Sequence, residues 1–298
     1  MTIDLSIIIL NYNTSKLVCD CLESIKKADK GQYNFEVIVV DNASSDDSVE
    51  KIRKYFPHVK IIKNEKNLGF SAGNNRGIPG ARGRYLLFLN PDTLVNKDTL
   101  VKMLSFMDVS PCAGAATCRV ELASGELDDA CHRGFPTPWN SFCHFTRLEN
   151  VFPNSSFFSG YKLGSLDLSR THEIDALCGA FLIMRREAGV EVGWWDEDYF
   201  WYGEDLDLCY RLKEKGWKIY YVPETKIIHY KGAASGLKKS SQNVTTATAE
   251  TKKRAALAST AVMRIFYKKH YRDKYPALVT WIVFGGIGIL EKRRLSKT

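Results

Sequence analysis

A chain of 298 residues with 45% hydrophobic content is ordinary for a globular protein and can bury a sizeable core as one large domain with or without an appendage. Its formal net charge of +8, from 42 Lys and Arg against 34 Asp and Glu, favours phosphate-bearing ligands or an anionic membrane surface. Eight cysteines in a chain of this length, with no CxxC pair and no Cys/His cluster of zinc-finger spacing, exclude a disulfide scaffold and a zinc finger, and read as reduced thiols in the core.

The opening MTIDLSIIIL has too short an apolar run for a signal peptide and lacks its basic leader, so catalysis in the cytoplasm is the expectation. Four strand-then-helix patterns follow. LSIIIL precedes SKLVCDCLESIKKA, FEVIVVD precedes DDSVEKIRKYF, VKIIKN precedes SAGNNRGIPGARG, and RYLLFLN precedes KDTLVKMLSFM. Continuously apolar strands separated by amphipathic segments predict an α/β fold with a Rossmann-like, mostly parallel sheet flanked by helices. Ligands of such sheets bind beyond the carboxyl ends of the strands. Here those ends carry Asn11-Tyr12-Asn13, Asp41-Asn42-Ala43-Ser44, Asn67-Leu68-Gly69 and Asn90-Pro91-Asp92.

From about Glu121 to about Leu168 periodicity fades, which reads as a variable region shaping one wall of a cleft. EIDALCGAFLIMRRE then reads as one strand, GEDLDLCYRLKEKGW as a helix stopped by Gly216, and KIYYV as a strand ending at Pro223. These patterns give a domain over 1–232, with a nucleotide-binding half at about 1–120 and an acceptor-binding half at about 121–232. A tail over 233–298 follows. Within it SGLKKSSQNVTTATAETKK is polar, ALASTAVMRIFYKKHYRDKY is a basic amphipathic helix, and PALVTWIVFGGIGIL is an apolar run of about fifteen residues, short of the roughly twenty that span a bilayer. That run either packs back on the domain or lies in the membrane interface, anchored by Trp281 and flanking cations.

Asp41 ends a buried strand, where its carboxylate can accept from a pyrimidine N–H or a ribose hydroxyl, or can close an Asx turn. Gly69 and Gly73 let a backbone approach a ligand closely, and the turn they punctuate matches neither GxGxxG nor a Walker pattern. In FLNPDT, Asp92 and Asn90 offer oxygen ligands to a hard divalent ion, and His229 after TKIIH could complete a mixed oxygen and nitrogen site suited to Mn²⁺ or Mg²⁺. In YFWYGEDLDLCYRLKEKGW, helical spacing places Asp205 with Leu208, Cys209 and Leu212, while Glu204, Asp207 and Arg211 share the neighbouring stripe. Asp207 and Arg211 make an (i, i+4) pair. Asp205 is then either a helix-capping anion or a general base.

SIIILNYN, VIVVDNASSDDS, NLGFSAGNNRGI, LLFLNPDT, GAFLIMRRE, WWDEDYFWYGEDLDLCYRLKEKGWKI and VPETKIIHYKG occur in that order over roughly residues 4 to 232. Together they resemble the inverting family 2 glycosyltransferases of the GT-A fold, particularly the rhamnosyltransferase-like branch. The resemblance implies that Asn11, Asn13, Asp41, Asn42, Ser44 and Asn90, with Asn67, Gly69, Phe70, Asn74 and Asn75, hold the nucleotide. It implies that Asp92 binds a divalent metal, Mn²⁺ or Mg²⁺, with His229 as a further ligand. Asp205 would be the base, assisted by Glu204, and Trp194, Trp195 and Tyr202 would face sugars. The family's Asp-x-Asp motif appears here as Asn90-Pro91-Asp92, leaving one charged ligand. The implied activity moves a sugar, a deoxyhexose such as L-rhamnose among the candidates, from a dTDP- or UDP-linked donor to a glycan or polyprenyl-linked acceptor in cell-surface polysaccharide synthesis. The chain would work at the cytoplasmic face of a membrane, without nucleic acid. A nucleotide-sugar-binding protein with a degenerate site and a sugar nucleotidyltransferase are the alternatives.

Overall fold

Leu5, Ile7, Ile8 and Ile9 have no solvent exposure, so the strand they build, β1 (Leu5–Asn11), must be covered on both faces. The computed structural model describes residues 2–230 and 249–296. In chain order β1 is followed by α1 (Ser15–Lys27), β2 (Phe35–Asp41), α2 (Ser48–Tyr55), β3 (Lys60–Lys63), α3 (Phe70–Gly77), β4 (Tyr85–Leu89), β5 (Thr93–Val95), α4 (Thr99–Val109) and β6 (Ala113–Leu122). Then come α5 (Pro138–Thr146), α6 (Leu148–Val151), β7 (His172–Ile174), β8 (Phe181–Arg185), α7 (Arg186–Val192), α8 (Glu204–Glu214), β9 (Lys218–His229), α9 (Ala249–His270) and α10 (Ala277–Leu295). The strands form one sheet in the order β3-β2-β1-β4-β8-β6-β9-β5, with β7 also paired to β9.

The four predicted strand-helix units are present, because each helix buries a stripe against the sheet. In α1 that stripe is Val18, Cys21, Leu22 and Ile25, at helical spacing. β1, β2, β3 and β4 are mutually parallel, as are β6 and β9, while β8 runs antiparallel between β4 and β6. β5 and β7 run antiparallel to β9. The parallel direction is therefore shared by β1, β2, β3, β4, β6 and β9, and their carboxyl ends form one edge.

Three sequence expectations change. EIDALCGAFLIMRRE is not a single strand: it divides into β7, a turn, β8 and the start of α7. β6 and the three-residue strands β5 and β7 were not anticipated. β9 does not end at Pro223 but runs on to His229, because a register shift between Cys118 and Arg119 of β6 lets Pro223, Glu224 and Thr225 bulge out of the ladder. α8 stops just ahead of Gly216, as expected.

The boundary at residue 232 and most of the polar stretch after it lie outside the described residues. α9 docks on the domain: Phe266, Tyr267 and Tyr271 are buried around Tyr210 of α8. α10 packs on α9 through Phe284 against Tyr267, ring centroids 5.6 Å apart, and through Tyr267 Oη and Thr280 Oγ1, 3.0 Å apart. Among the described residues no helix is long and apolar enough to cross a membrane.

Candidate active site

The register of the parallel strands brings the predicted polar ends to one level. Asn11 pairs with Asp41, and Ile9 pairs with Leu89, so Asn90-Pro91-Asp92 leaves β4 beside Asn11. Asn11 Nδ2 donates to Asp41 Oδ1 (3.1 Å) and Ser44 Oγ (3.0 Å), and Ser44 N donates to Asp41 Oδ2 (3.2 Å). Asn13 accepts from Ser45 N at 2.8 Å. Asn42 organises the next turn: its Nδ2 donates to Asn67 Oδ1 (2.9 Å) and Gly69 O (3.1 Å), and its Oδ1 accepts from Leu68 N (3.0 Å). Asn11, Asp41 and Asn42 are buried, so much of their work is to hold two turns in place at the edge of the sheet. Asp41 keeps free lone pairs, because a carboxylate can accept about four hydrogen bonds.

Other expected nucleotide contacts are spent internally. Asn74 bonds back to Phe70 O of its own helix at 3.0 Å, and Asn75 clamps the segment after α7 by donating to Trp195 O and Glu197 Oε1, both at 2.9 Å. Gly73 does not open a path to a ligand: a Cβ there would lie 2.6 Å from the Leu10 side chain, so it lets α3 lie close against β1. Gly69, at φ +82°, meets Phe200, whose carbonyl accepts from Phe70 N at 2.8 Å. That contact ties the nucleotide-side turn to the aromatic segment ahead of α8.

Trp194 and Trp195 do not face a sugar. Trp195 is 2% exposed and packs edge-on against Phe70 and Phe88, at 5.3 and 5.0 Å. Trp194 lies over Gly189 and lines a cavity of about 400 Å³ with Ile78, Pro79, Ala81 and Arg186, toward the amino ends of the strands. Both sit where they do because Arg211 of α8 accepts the chain into a clamp, donating to Val192 O and, at 2.8 Å, to Trp194 O. Tyr202 is better placed. It is half-buried, stacks on Trp201 with centroids 5.4 Å apart, and holds φ +73°, a conformation that a bulky residue seldom adopts.

On the other half of the edge, Thr93 of β5 pairs with His229 at the end of β9, and Tyr230 N donates to Asp92 O at 2.8 Å. This register places His229 Nε2 3.3 Å from Asp92 Oδ1, while its Nδ1 lies 3.3 Å from Asp128 Oδ2. All three side chains are buried. Burial alone would push the His229 imidazolium toward neutrality, but Asp92 and Asp128 outweigh it and hold the ring up to about 9. Once that proton is displaced, an oxygen and a nitrogen donor at that separation suit a divalent cation that takes its other ligands from phosphate oxygens. Among the described residues no group of three or more His, Cys, Asp or Glu side chains is placed to hold a metal ion. The side chain of Asn90 makes no described contact with this pair.

α8 precedes β9, which starts at the amino edge, so α8 begins at the carboxyl edge and presents Glu204 and Asp205 there. Leu208, Cys209 and Leu212 are fully buried and Asp205 borders them, as its helical stripe requires. Asp205 Oδ2 accepts from Arg133 Nη2 at 2.5 Å, and Arg133 Nη2 also donates to Leu177 O at 3.1 Å. Glu204 is more enclosed than a solvated stripe would be, with Oε2 unpartnered, and burial together with the neighbouring Asp205 charge pushes its carboxyl up to about 8. Asp207 is completely buried: it takes Arg211 Nε and His270 Nε2, both at 2.7 Å, the second from α9. The tail thus covers the face of α8 that the sequence alone leaves open to water.

Asp128 and Arg133 were missed. Both lie in the aperiodic region, five positions apart, on either side of the short 3₁₀ turn Asp129–Cys131. One reaches His229 and the other Asp205, so a segment at most about 18 Å long joins the two charged groups of the site. No local signal marks them, because their partners are 101 and 72 residues away in sequence.

Comparison with known proteins follows the same lines. The model of the family described as "Glycosyl transferase family 2" matches residues 6–188. The chain is 28% identical over 211 residues to the N-acetylglucosaminyl-diphospho-decaprenol L-rhamnosyltransferase of Mycobacterium tuberculosis, covering 67% of this chain and 68% of that protein. It is 27% identical over 233 residues to the rhamnosyltransferase WbbL of Escherichia coli K12, covering 75% and 82%. Its fold is shared with the mannosyltransferase PcManGT of Pyrobaculum calidifontis, solved with GDP-Man and Mn²⁺, at a TM-score of 0.61 and 16% identity, covering 100% of this chain and 75% of that one. The sheet is thus the mixed, helix-flanked sheet of the GT-A glycosyltransferases, and the chain belongs to glycosyl transferase family 2.

Proposed function

We propose that this glycosyltransferase moves a deoxyhexose such as L-rhamnose from a dTDP- or UDP-linked donor to a hydroxyl of a glycan or polyprenyl-linked acceptor, with inversion, at the cytoplasmic face of a membrane. The rhamnosyl activity and the decaprenol-linked acceptor named for similar proteins support that choice of sugar and acceptor. The observation that carries the reading is the meeting of Asp92 and His229 at the carboxyl edge to which α8 delivers Asp205. Asp92 and His229 would hold a divalent cation, Mn²⁺ or Mg²⁺, which when bound neutralises charge gathering on the departing diphosphate.

The chain's own residues do the rest. Asp41 accepts from the base or ribose, and the turns fixed by Asn11 and Asn42 shape the nucleotide seat. Asp205 accepts the proton of the acceptor hydroxyl as the acceptor oxygen bonds to the anomeric carbon. The bond from that carbon to the diphosphate oxygen breaks, and the nucleoside diphosphate leaves with the electron pair. A positioned base of this kind contributes roughly 10²–10⁴-fold. Arg133 holds and aims the Asp205 carboxylate, and Glu204, protonated near neutrality by its enclosure, avoids a second negative charge beside it. Tyr202 and Trp201 offer an aromatic surface to a sugar face and help to exclude water.

The test compares wild type and Asp205→Asn for nucleoside diphosphate release and for donor binding by calorimetry. Transfer should fall by about 10²-fold or more while donor binding is kept. Retained turnover would remove Asp205 from the role of base.

A further inference from the structure

α10 has two unlike faces. Thr280, Phe284 and Ile287 turn toward α9. On the opposite side Leu278, Trp281, Ile282 and Ile289 are 69, 76, 66 and 58% exposed. At 100° per residue these four fall within about 60° of one line along the helix, and Lys292 and Arg293, both exposed, continue that line at its end. The apolar part is roughly 17 Å long, too short to span a bilayer and long enough to lie in its surface.

Charge points to the occupant. Residues 249–298 contain twelve Lys and Arg against three Asp and Glu, so the first 248 residues are close to neutral and the chain's positive charge is the tail's. The turn into α10 adds exposed Arg272, so cations flank the apolar stripe at both ends, while Lys274 beside it is held by Glu214 and Tyr210 Oη. An exposed tryptophan between flanking cations is the composition that settles at a bilayer's headgroup boundary, where the ring sits half in and the cations meet lipid phosphates. A second copy is a poor match, since stacking two such tails brings like charges together.

We infer that the Leu278, Trp281, Ile282 and Ile289 face of α10 docks on an anionic lipid surface, with Lys292 and Arg293 on headgroup phosphates. α10 lies beside the candidate active site: its Arg294 is near enough to Tyr202 to feel that side chain electrostatically, and Val262 of α9 lies against Gly203. Docking in this way brings the site to the headgroup level where the diphosphate of a polyprenyl-linked acceptor sits. Only this last consequence rests on the proposed acceptor; the docking itself does not.

The full chain is sedimented with phosphatidylcholine vesicles, with and without phosphatidylglycerol, at low and high salt. Wild type should pellet with the anionic vesicles and be released by salt. Trp281→Ser/Ile282→Ser should lower partitioning by about tenfold or more, and Lys292→Gln/Arg293→Gln by roughly fivefold per charge. These side chains are exposed, so the variants should melt like wild type and transfer sugar equally well to a water-soluble acceptor analogue. Partitioning unchanged in both variants, no partitioning of wild type, or a dimer that Trp281→Ser/Ile282→Ser dissolves would overturn the docking. Loss of transfer to the soluble analogue in the wild type would instead count against the proposed activity and leave the docking standing.

Discussion

Arg133 and Asp205 form an ion pair with nitrogen and oxygen 2.5 Å apart and side chains only 12 and 13% exposed, joining the irregular region to the first turn of α8. Removing one partner of a pair this enclosed leaves the other charge uncompensated, which typically costs about 3–5 kcal/mol. Arg133→Met should therefore destabilise strongly, and adding Asp205→Asn should recover part of the loss. Denaturant unfolding of the two single variants and the double variant measures the coupling. Additive losses would mean that the pair is not formed in solution.

Glu204 gives a pH dependence with a definite sign. Its carboxyl is raised from 4.5 to about 8 by burial first and by Asp205 second. The folded protein therefore holds a proton that the unfolded chain has released, and the stabilisation, complete below about 4.5, is lost as pH climbs through about 8. Thermal melting should show wild type losing stability over that window and Glu204→Gln losing less. Parallel pH profiles for the two would contradict the enclosure of Glu204.

Asp128 fixes the orientation of His229 from the side away from Asp92. Partners of this kind, one step removed from a metal, typically affect its affinity by about 10–100-fold. Asp128→Asn should weaken Mn²⁺ binding within that range when read by the electron spin resonance of free Mn²⁺, with the fold intact by circular dichroism. Unaltered Mn²⁺ affinity would exclude Asp128 from that task.

Gly69→Ala tests how the nucleotide-side turn is joined to the aromatic segment. A Cβ would lie 2.6 Å from Phe200 O, at φ +82° and ψ −174°, a region open essentially to glycine alone that costs other residues about 1–3 kcal/mol. The variant should melt lower and bind donor more weakly. A melting curve and donor affinity equal to those of wild type would show that the turn is not under this constraint.

The sequence made the first half of the sheet legible because its strands are continuously apolar and its helices carry buried stripes at regular spacing. β6 escaped notice because AGAATCRVEL opens on small residues with no alternation, and β5 and β7 are too short to carry a period. The reversed direction of β8 is a property of the path taken by the chain, which no local pattern records. Pro223 reads as a strand end, yet the bulge absorbs it. Asp92, His229 and Asp205 stand out in the sequence because each closes or opens a regular element. Asp128 and Arg133 were not, since their meaning comes from partners far along the chain. Trp195 illustrates the converse: the resemblance implied a sugar-facing role for it, whereas it fills the core between Phe70 and Phe88. The burial of Asp207 under His270 could be seen only once α9 was placed.

The most direct measurement of the central claim is the anomalous scattering of Mn²⁺ in crystals grown with a nucleoside diphosphate. One strong peak is expected, bonded to Asp92 and His229 Nε2 and bridged to the diphosphate, with the Asp205 carboxylate facing the space where the anomeric carbon would lie. A peak away from Asp92 and His229, or a nucleotide seated away from the carboxyl edge of the sheet, would contradict it.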